Sequence, residues 1–400
     1  MALDYKNFAI VYEPEIDDMA ARLDSSGIFD GERLRLQADC HVGKGCAVGT
    51  CLTFTDKIVP SLVGCDIACR VSAIPLGEDI DLMALDKVVN DRVPSGFSIR
   101  QEEHEFSKTF PYEELRCWEA IQEKEDRFRK SMGTLGSGNH FIAVERGQKS
   151  NQNHLIIHCG TRNLGKVVFD YYEGKALLTR EQRFRTLKYI RDSAIKAAAE
   201  EERYTLIPSI NDDYMREVDR LPKELAYLEG EAMDDYLHDM NLLRKWSGLN
   251  HMVIATEIAD TLGIEIDIFD DMITSIHNYV DVENGIIRKG AISARKGERG
   301  IIPMNMRDGS LIVVGKGNED YLWSAPHGAG RIMSRSQAKR ELDLQHYRDE
   351  MSGIYTTSVC FSTLDEAPDA YKKIEDILPA IEPTVEVVER TFPIYNFKAR

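Results

Sequence analysis

Apolar positions recur with two different periods along the chain. Residues 28–75 break short apolar runs, around Leu52–Phe54 and Ile58–Val63 among others, with glycine turns, which is the spacing of β-strands. The same form returns further on. Gly133, Gly136 and Gly138 precede an apolar run over Phe141–Val144, and a second run, Leu155–Cys159, ends at another glycine turn. Between about 176 and 260 the period changes. Leu177–Glu202 and Glu229–Leu262 carry apolar residues at helical spacing with charges between, and Pro208 and Pro222 mark the intervening loop. Residues 80–131 read as mostly helical and strongly charged, a solvated cover. From 263 the chain goes back to strands and turns, with a strand at Leu311–Val314, a polar helix at Ser336–Glu350 and alternation over Thr384–Phe392. No repeat, low-complexity tract or linker interrupts it. One large domain over residues 1–400, with a helical insertion at about 176–260, is the simplest parse.

Composition narrows the class. With 43% hydrophobic and 29% charged residues the chain has the make-up of a soluble globular enzyme. Fifty lysines and arginines against 67 acids leave a formal net charge of −17, which argues against indiscriminate binding to nucleic acid or anionic membrane. A polyanionic substrate must then be held by a local basic patch or by metal ions. The first residues are polar, with no apolar signal core. No run approaches the ~18–20 apolar residues of a bilayer span. A cytoplasmic protein is expected. Of eight cysteines, five fall between 40 and 69 and none forms a C-x-x-C pair, so reduced core residues or metal ligands are expected rather than a disulfide framework. Cys40, Cys46, Cys51 and Cys65, in glycine- and valine-rich sequence, are expected as small buried hydrophobes.

The candidate chemistry is spread along the chain. Asp66 and Cys69 are three apart, a spacing that lets a turn aim a carboxylate and a thiolate at one ion. Beside imidazoles such a pair suits zinc, manganese or iron rather than magnesium. Alone it is weak, because Asp-x-x-Cys is common by chance. His140 follows a glycine turn and His158 ends a strand-like run, where rigid scaffolds present ligands. One such histidine is more often a satisfied core residue, but two in matched settings favour a shared site. His277 supplies another, ahead of Asn278. His238, His251 and Trp246 lie in the helical stretch and are expected to be structural. In Ser324-Ala-Pro-His-Gly-Ala-Gly-Arg331 the small residues let the backbone approach a bound group, and glycine N–H groups can cradle phosphate oxygens. Arg331 and Arg335 add forked donors, and a neutral His327 could attack phosphorus. That octapeptide reads equally well as a tight turn with a packing histidine. Taken together, Asp66, Cys69, His140, His158 and His277 could support two ions bridged by the thiolate. Two metals with open positions suit phosphoryl or nucleotidyl transfer, and His327 is left free as a nucleophile.

With these motifs in hand, the chain resembles the RtcB family of RNA ligases from Asp39 to Lys398. The matching motifs are Asp39-Cys-His-Val-Gly-Lys-Gly45, Asp66-Ile-Ala-Cys69, Gly138-Asn-His-Phe141, His158-Cys-Gly-Thr-Arg162, His277-Asn278, Arg288-Lys-Gly-Ala291, His327-Gly-Ala-Gly-Arg331 and Asp365-Glu-Ala-Pro368. The resemblance implies an α+β fold of packed β-sheets with surrounding helices. It implies two Mn2+ ions on Asp66, Cys69, His140, His158 and His277, the cysteine bridging. It implies that His327 attacks the α-phosphorus of GTP to give a histidine–GMP intermediate. An RNA 2′,3′-cyclic phosphate is opened to a 3′-phosphate, GMP passes to that phosphate, and a 5′-hydroxyl displaces GMP to seal the strand, in RNA repair or tRNA splicing. The guanylate pocket maps onto Asn139, Asn278, Pro303, Met304, Asn305, Met306, Ser310, Gly328, Ala329, Gly330, Tyr371 and Lys398. Arg162 is placed toward RNA phosphate, and an archease-type activator is an implied partner.

The chain also departs from the family pattern. Ala143 stands where the pattern has a glutamate that pairs with the guanine edge, and the nearest acid, Glu145, points the same way if the strand is regular. Met304-Asn305 stands where Gly-Ser is common. Pro326 and Ala68 are milder changes. Metal ligands and nucleophile match while the base pocket does not, the mark of a divergent paralogue. With a net negative chain, RNA binding predicts a confined basic groove, with Arg162, Arg288, Lys289, Arg295, Lys296, Arg331 and Arg335 as candidates. Two other enzymes are compatible with the motifs: a nucleotidyltransferase that caps 3′-phosphate ends, and a dinuclear metal cyclic phosphodiesterase that does not ligate. An idle RNA-binding relative would not need all five ligands.

Overall fold

β-Branched and aliphatic residues fill seven strands of one antiparallel sheet. Its order is Arg299–Asn305, Gly309–Gly315, Val385–Lys398, Phe141–Gly147, Asn153–Cys159, Arg70–Leu76 and Ile273–Ile276. The sheet curls until its two edges meet, and the Ile301 N–H donates to Ser275 Oγ across the seam at 2.8 Å. Val71, Ala73, Ala143, Ile156, Ile273, Ile301 and Ile312 form one apolar cluster drawn from six of the seven strands. Residues of the opposite parity, among them Ile142, Val144, Leu155 and Ile157, pack outward against Ile254, Ala255 and Ile258 of helix Glu231–Leu262. This is why strand Asn153–Cys159 is buried along its whole length and shows no polar alternation.

The computed structural model describes residues 2–11, 13–43, 45–76, 80–266 and 271–399. Lys44, inside the Asp39–Gly45 motif, lies outside them. A second sheet, ordered Asp4–Asn7, Arg33–His41, Val48–Thr53, Ile286–Lys289 and Asn278–Asp281, brings Asp39 and Asn278 to the side of the first. The expected α+β architecture of packed sheets and outer helices is therefore what the chain forms.

The stretch expected as a helical insertion is helical, and its first helix starts earlier than the periodicity suggests. Helix Arg162–Glu200 begins at the glycine turn itself, followed by Ile207–Asp219 and Glu231–Leu262. Gly165, Val167, Val168 and Gly174 hide its first turns from a propensity argument; burial of Leu164, Val168 and Phe169 compensates. His251 and Trp246 are structural, as expected. The His251 ring bridges Ser72 Oγ at 2.9 Å and the Cys159 carbonyl at 3.0 Å, and the buried Trp246 indole donates to Tyr112 Oη at 3.0 Å.

Three local expectations are corrected. Ile58–Val63 is not a strand: only Lys57–Ile58 pairs, and a 3-10 turn follows over Pro60–Leu62, since Pro60 has no N–H to give a ladder. The polar helix after His327 is two short ones, Arg335–Glu341 and Leu344–Glu350, the second started by Asp343 accepting the His346 N–H. Cys65 is exposed, whereas Cys40, Cys46 and Cys51 are buried and all are free thiols. Cys65 sits in the turn between Gly64 and Asp66, at the rim of the site.

Candidate functional site

The antiparallel register of four neighbouring strands collects the candidate ligands. Cys69 immediately precedes Arg70–Leu76, His140 precedes Phe141–Gly147, His158 is the next-to-last residue of Asn153–Cys159, and His277 follows Ile273–Ile276. Pairing of Arg70 with both Cys159 and Ile276, and of Phe141 with His158, puts all four at one end of the sheet. Starts and ends of antiparallel strands alternate along such an edge, so residues far apart in sequence become neighbours.

The donor atoms converge. Cys69 Sγ lies 3.4 Å from His140 Nε2 and 3.3 Å from His158 Nε2. His158 Nε2 is 3.3 Å from His277 Nε2, and His140 Nε2 is 3.2 Å from Asp66 Oδ2. Separations of this size are the edges of a coordination shell with bonds of about 2.0–2.3 Å. His140 Nδ1 rests 3.0 Å from the Leu135 carbonyl, which leaves Nε2 for an ion. Asp66 is let in by Gly160, where a Cβ would come within 2.2 Å of its Oδ1. Between Asp66 and Cys69, Ala68 adopts a left-handed conformation, φ 57°, that turns both ligands inward. The donor set of carboxylate, thiolate and imidazoles is that of a transition-metal centre. Burial holds His158 and His277 well below the ordinary imidazole range, in the neutral form a metal requires. Burial also disfavours charge on His140, but the Asp66 carboxylate outweighs it and raises His140 to about 9; an ion arriving there must displace a proton.

The site opens into a cavity of about 440 Å³. His327 lies at its edge, its ring 5.0 Å from that of His277. Its Nδ1 is 2.7 Å from Oδ2 of Asp39, a fully buried carboxylate. That contact orients the imidazole and leaves Nε2 as the nitrogen available for attack. Gly330, at φ 73°, makes room for the arrangement, because a Cβ there would meet the Asp39 carbonyl oxygen at 2.2 Å.

Most of the residues assigned to a nucleotide by resemblance border this cavity. Asn139 and Asn278 stand near the ligand cluster, Pro303, Met304, Asn305 and Met306 form one wall, and Gly328, Ala329 and Gly330 follow His327. Tyr371 and Lys398 close the far side around buried Glu366, which accepts from Tyr371 Oη at 2.7 Å, pairs with Lys398, and receives Arg331 at 3.3 Å. Ser310 does not reach the cavity. It is buried and donates to Glu145 Oε1 at 3.1 Å. Arg162 does not reach it either: its guanidinium packs beneath Gly136 and donates to Thr134 Oγ1 and the Gly96 carbonyl.

The basic groove is smaller than expected. Lys289, Arg331 and Arg335 border the cavity, but Arg331 and Arg335 are paired with Glu366, and Arg335 also with Asp365. Arg288 is buried against Asp281, which also holds Arg295.

Glu145 shares its strand face with Ala143, as alternation predicts, but it is taken. Ser310 and Thr391 donate to it in a fully buried setting. Burial pushes its carboxyl from near 4.5 up to about 7, against the pull of those hydroxyls. A raised carboxyl takes up a proton on folding, so its contribution is complete below the ordinary carboxylate range and is lost as pH rises through about 7. Glu145→Gln should therefore gain on the wild type between pH 5 and pH 8, by on the order of 1–3 kcal/mol. Thermal unfolding at both pH values checks this; a difference in Tm that does not change with pH contradicts it.

The edge of the curled antiparallel sheet thus gathers a carboxylate, a thiolate and three imidazoles beside an oriented histidine, a donor set that could hold metal ions. Comparison with known proteins narrows the class. The chain belongs to the tRNA-splicing ligase RtcB family, whose model matches residues 27–399. It is 28% identical over 395 residues to the RNA-splicing ligase RtcB of Escherichia coli (strain K12), covering 90% of this chain and 88% of that protein. It is 26% identical over 431 residues to the tRNA-splicing ligase RtcB of Archaeoglobus fulgidus, covering 86% and 82%. A second E. coli protein, RNA-splicing ligase RtcB2 of strain ATCC 25922, is 21% identical over 382 residues, covering 86% and 81%. Among the described residues no helix is long and apolar enough to cross a membrane.

Three residues of the site carried no role in the sequence reading. Asp39 stood in a motif, yet its partner His327 is 288 positions away. Glu366 likewise sat in Asp365–Pro368 with no signal that it would organise Tyr371, Arg331 and Lys398. Asn396, a polar residue in an alternating strand, had no signal at all.

Proposed function

We propose that the chain is a manganese- and nucleotide-dependent RNA ligase that joins 2′,3′-cyclic-phosphate or 3′-phosphate ends to 5′-hydroxyl ends. GTP is the nucleotide that the family resemblance implies, and the substrate class follows from the RNA-ligase names of the relatives. The observation that carries the reading is the Asp39–His327 pair at the edge of a cavity that Asp66, His158 and His277 of the ligand cluster also line.

Asp66, Cys69, His140, His158 and His277 would hold the two ions, whose charge lowers the barrier to displacement at phosphorus. The chain's own residues do the rest. Asp39 keeps a proton on His327 Nδ1, so the lone pair resides on Nε2. His327 Nε2 forms a bond to the α-phosphorus while the bond to pyrophosphate breaks, and Asp39 stabilises the positive charge that develops on the ring. The Gly328–Gly330 turn lines the cavity beside His327, where its backbone N–H groups would receive the same phosphates. Water first opens a 2′,3′-cyclic phosphate by adding to phosphorus as the bond to O2′ breaks and O2′ takes a proton. An oxygen of the 3′-phosphate then attacks the nucleotidyl phosphorus and His327 leaves. Finally the 5′-hydroxyl attacks the activated 3′-phosphate and the nucleoside monophosphate departs, so atoms balance at each step. An archease-type activator would act on turnover.

The test is ligation of a synthetic RNA pair, one strand ending in a 2′,3′-cyclic phosphate and the other beginning with a 5′-hydroxyl. A joined product that requires Mn2+ and a nucleoside triphosphate is expected. A strand lengthened by one nucleotide without joining would make the protein an end-capping enzyme. A 3′-phosphate formed without nucleotide use would make it a phosphodiesterase.

A further inference from the structure

We propose that Asn396 reads the base of the bound nucleotide, and that its neutral amide lets the cavity take ATP on nearly equal terms with GTP. This rests on the nucleotide reading above.

Asn396 is 2% exposed, borders the cavity, and its Oδ1 has no hydrogen-bond partner. A buried amide oxygen without a donor is costly, and the open space that Asn396 borders is the cavity. Its position is set by register. Asn396 is directly opposite Ala143, and Lys398 directly opposite Phe141. Directly opposed residues share a face of the sheet, so Phe141, Asn396 and Lys398 line the cavity here, with Ala143 in the apolar cluster directly opposite Asn396. The Lys398 ammonium lies 5.4 Å from the Phe141 ring. Ala143 offers only a methyl group, which leaves the Asn396 amide as the polar group at that point.

The neighbouring acids are occupied. Glu366 is engaged by Tyr371, Arg331 and Lys398, and Glu145 by Ser310 and Thr391. The choice of base therefore falls to an amide. Guanine presents N1–H and N2–H2 side by side, a pair that a carboxylate accepts and an amide cannot accept in full. An amide gives one donor and one acceptor. That pattern matches N1 and N6–H of adenine, and equally O6 and N1–H of guanine, whereas a carboxylate would face the N1 lone pair of adenine.

The experiment measures equilibrium binding of ATP and GTP to the full chain with Mn2+, beside nucleotidyl transfer to the protein from each. In the wild type the two affinities should lie within about tenfold of each other, since one well-matched base contact discriminates by roughly that factor or more. Asn396→Asp, whose carboxylate takes both guanine donors, should shift the ratio toward GTP by at least about tenfold. Asn396→Ala, which tests the site without adding charge, should weaken both nucleotides and leave their ratio near one. A wild-type preference for GTP of about a hundredfold, or a base ratio that neither variant changes, overturns the inference. The two readings separate cleanly. Binding that shifts with Asn396→Asp, without transfer to the protein, would sink the ligase and leave the base contact; binding of neither nucleotide would sink both.

Discussion

Replacing Cys69 with alanine should drop the manganese content from the two ions per chain proposed for the wild type to below one, and RNA joining by about a hundredfold or more. Cys69 Sγ lies within reach of both His140 and His158, and these three atoms all lie within 4.8 Å of one another. Without it, Asp66 and His140 are left on one side and His158 and His277 on the other, with no bridge between them. The fold should survive. A buried cysteine behaves as a small hydrophobe, and losing its sulfur costs about 1 kcal/mol of burial, so Tm should fall by only a few degrees. Elemental analysis after dialysis against manganese reads the outcome. Two ions retained by a folded Cys69→Ala protein would mean that the thiol is not a ligand, and that the cluster is a packed polar core.

How far this site could be read from the sequence depended on how local each part is. His158 and His327 announced themselves because glycine turns beside strand-like runs are local features. The candidate ligands were legible as a list, since a thiolate, a carboxylate and imidazoles share a chemistry. What brings them together was not. Cys69, His140, His158 and His277 meet because four strands pair in a particular register, and register is a property of long-range pairing. The curl of the seven-stranded sheet was hidden for the same reason. Its inner cluster draws Ile301 and Ile312 against Val71 and Ala73, and each strand alone reads only as apolar. Helix Arg162–Glu200 was cut short because its buried first turns carry glycines and β-branched residues, which tertiary packing tolerates and propensity does not.

Charge misled in one respect. Seven basic residues suggested a groove, but Arg288 is buried against Asp281 and Arg162 supports the Gly136 turn. Arginines near a site serve its architecture as often as its substrate. The departure at Ala143 was visible in the sequence, but its counterpart was not. Only the strand register places Asn396 opposite it.

His327→Ala is the variant with the largest expected effect, because no neighbouring group replaces an attacking nitrogen. His277 is the nearest imidazole, 5.0 Å away ring to ring, and its Nε2 is turned to His158. Loss of a covalent nucleophile costs about a millionfold where a site depends on one. The direct measurement is therefore covalent labelling. The protein is incubated with Mn2+ and a nucleoside triphosphate labelled at the α-phosphate, ATP beside GTP, then denatured and counted. Label is expected on the wild-type chain, stable in base and lost in acid, as a phosphorus–nitrogen bond to histidine is, and none on His327→Ala. No label with either nucleotide on a protein shown to hold its ions, or label that persists without His327, would contradict the assignment of His327 as the nucleophile.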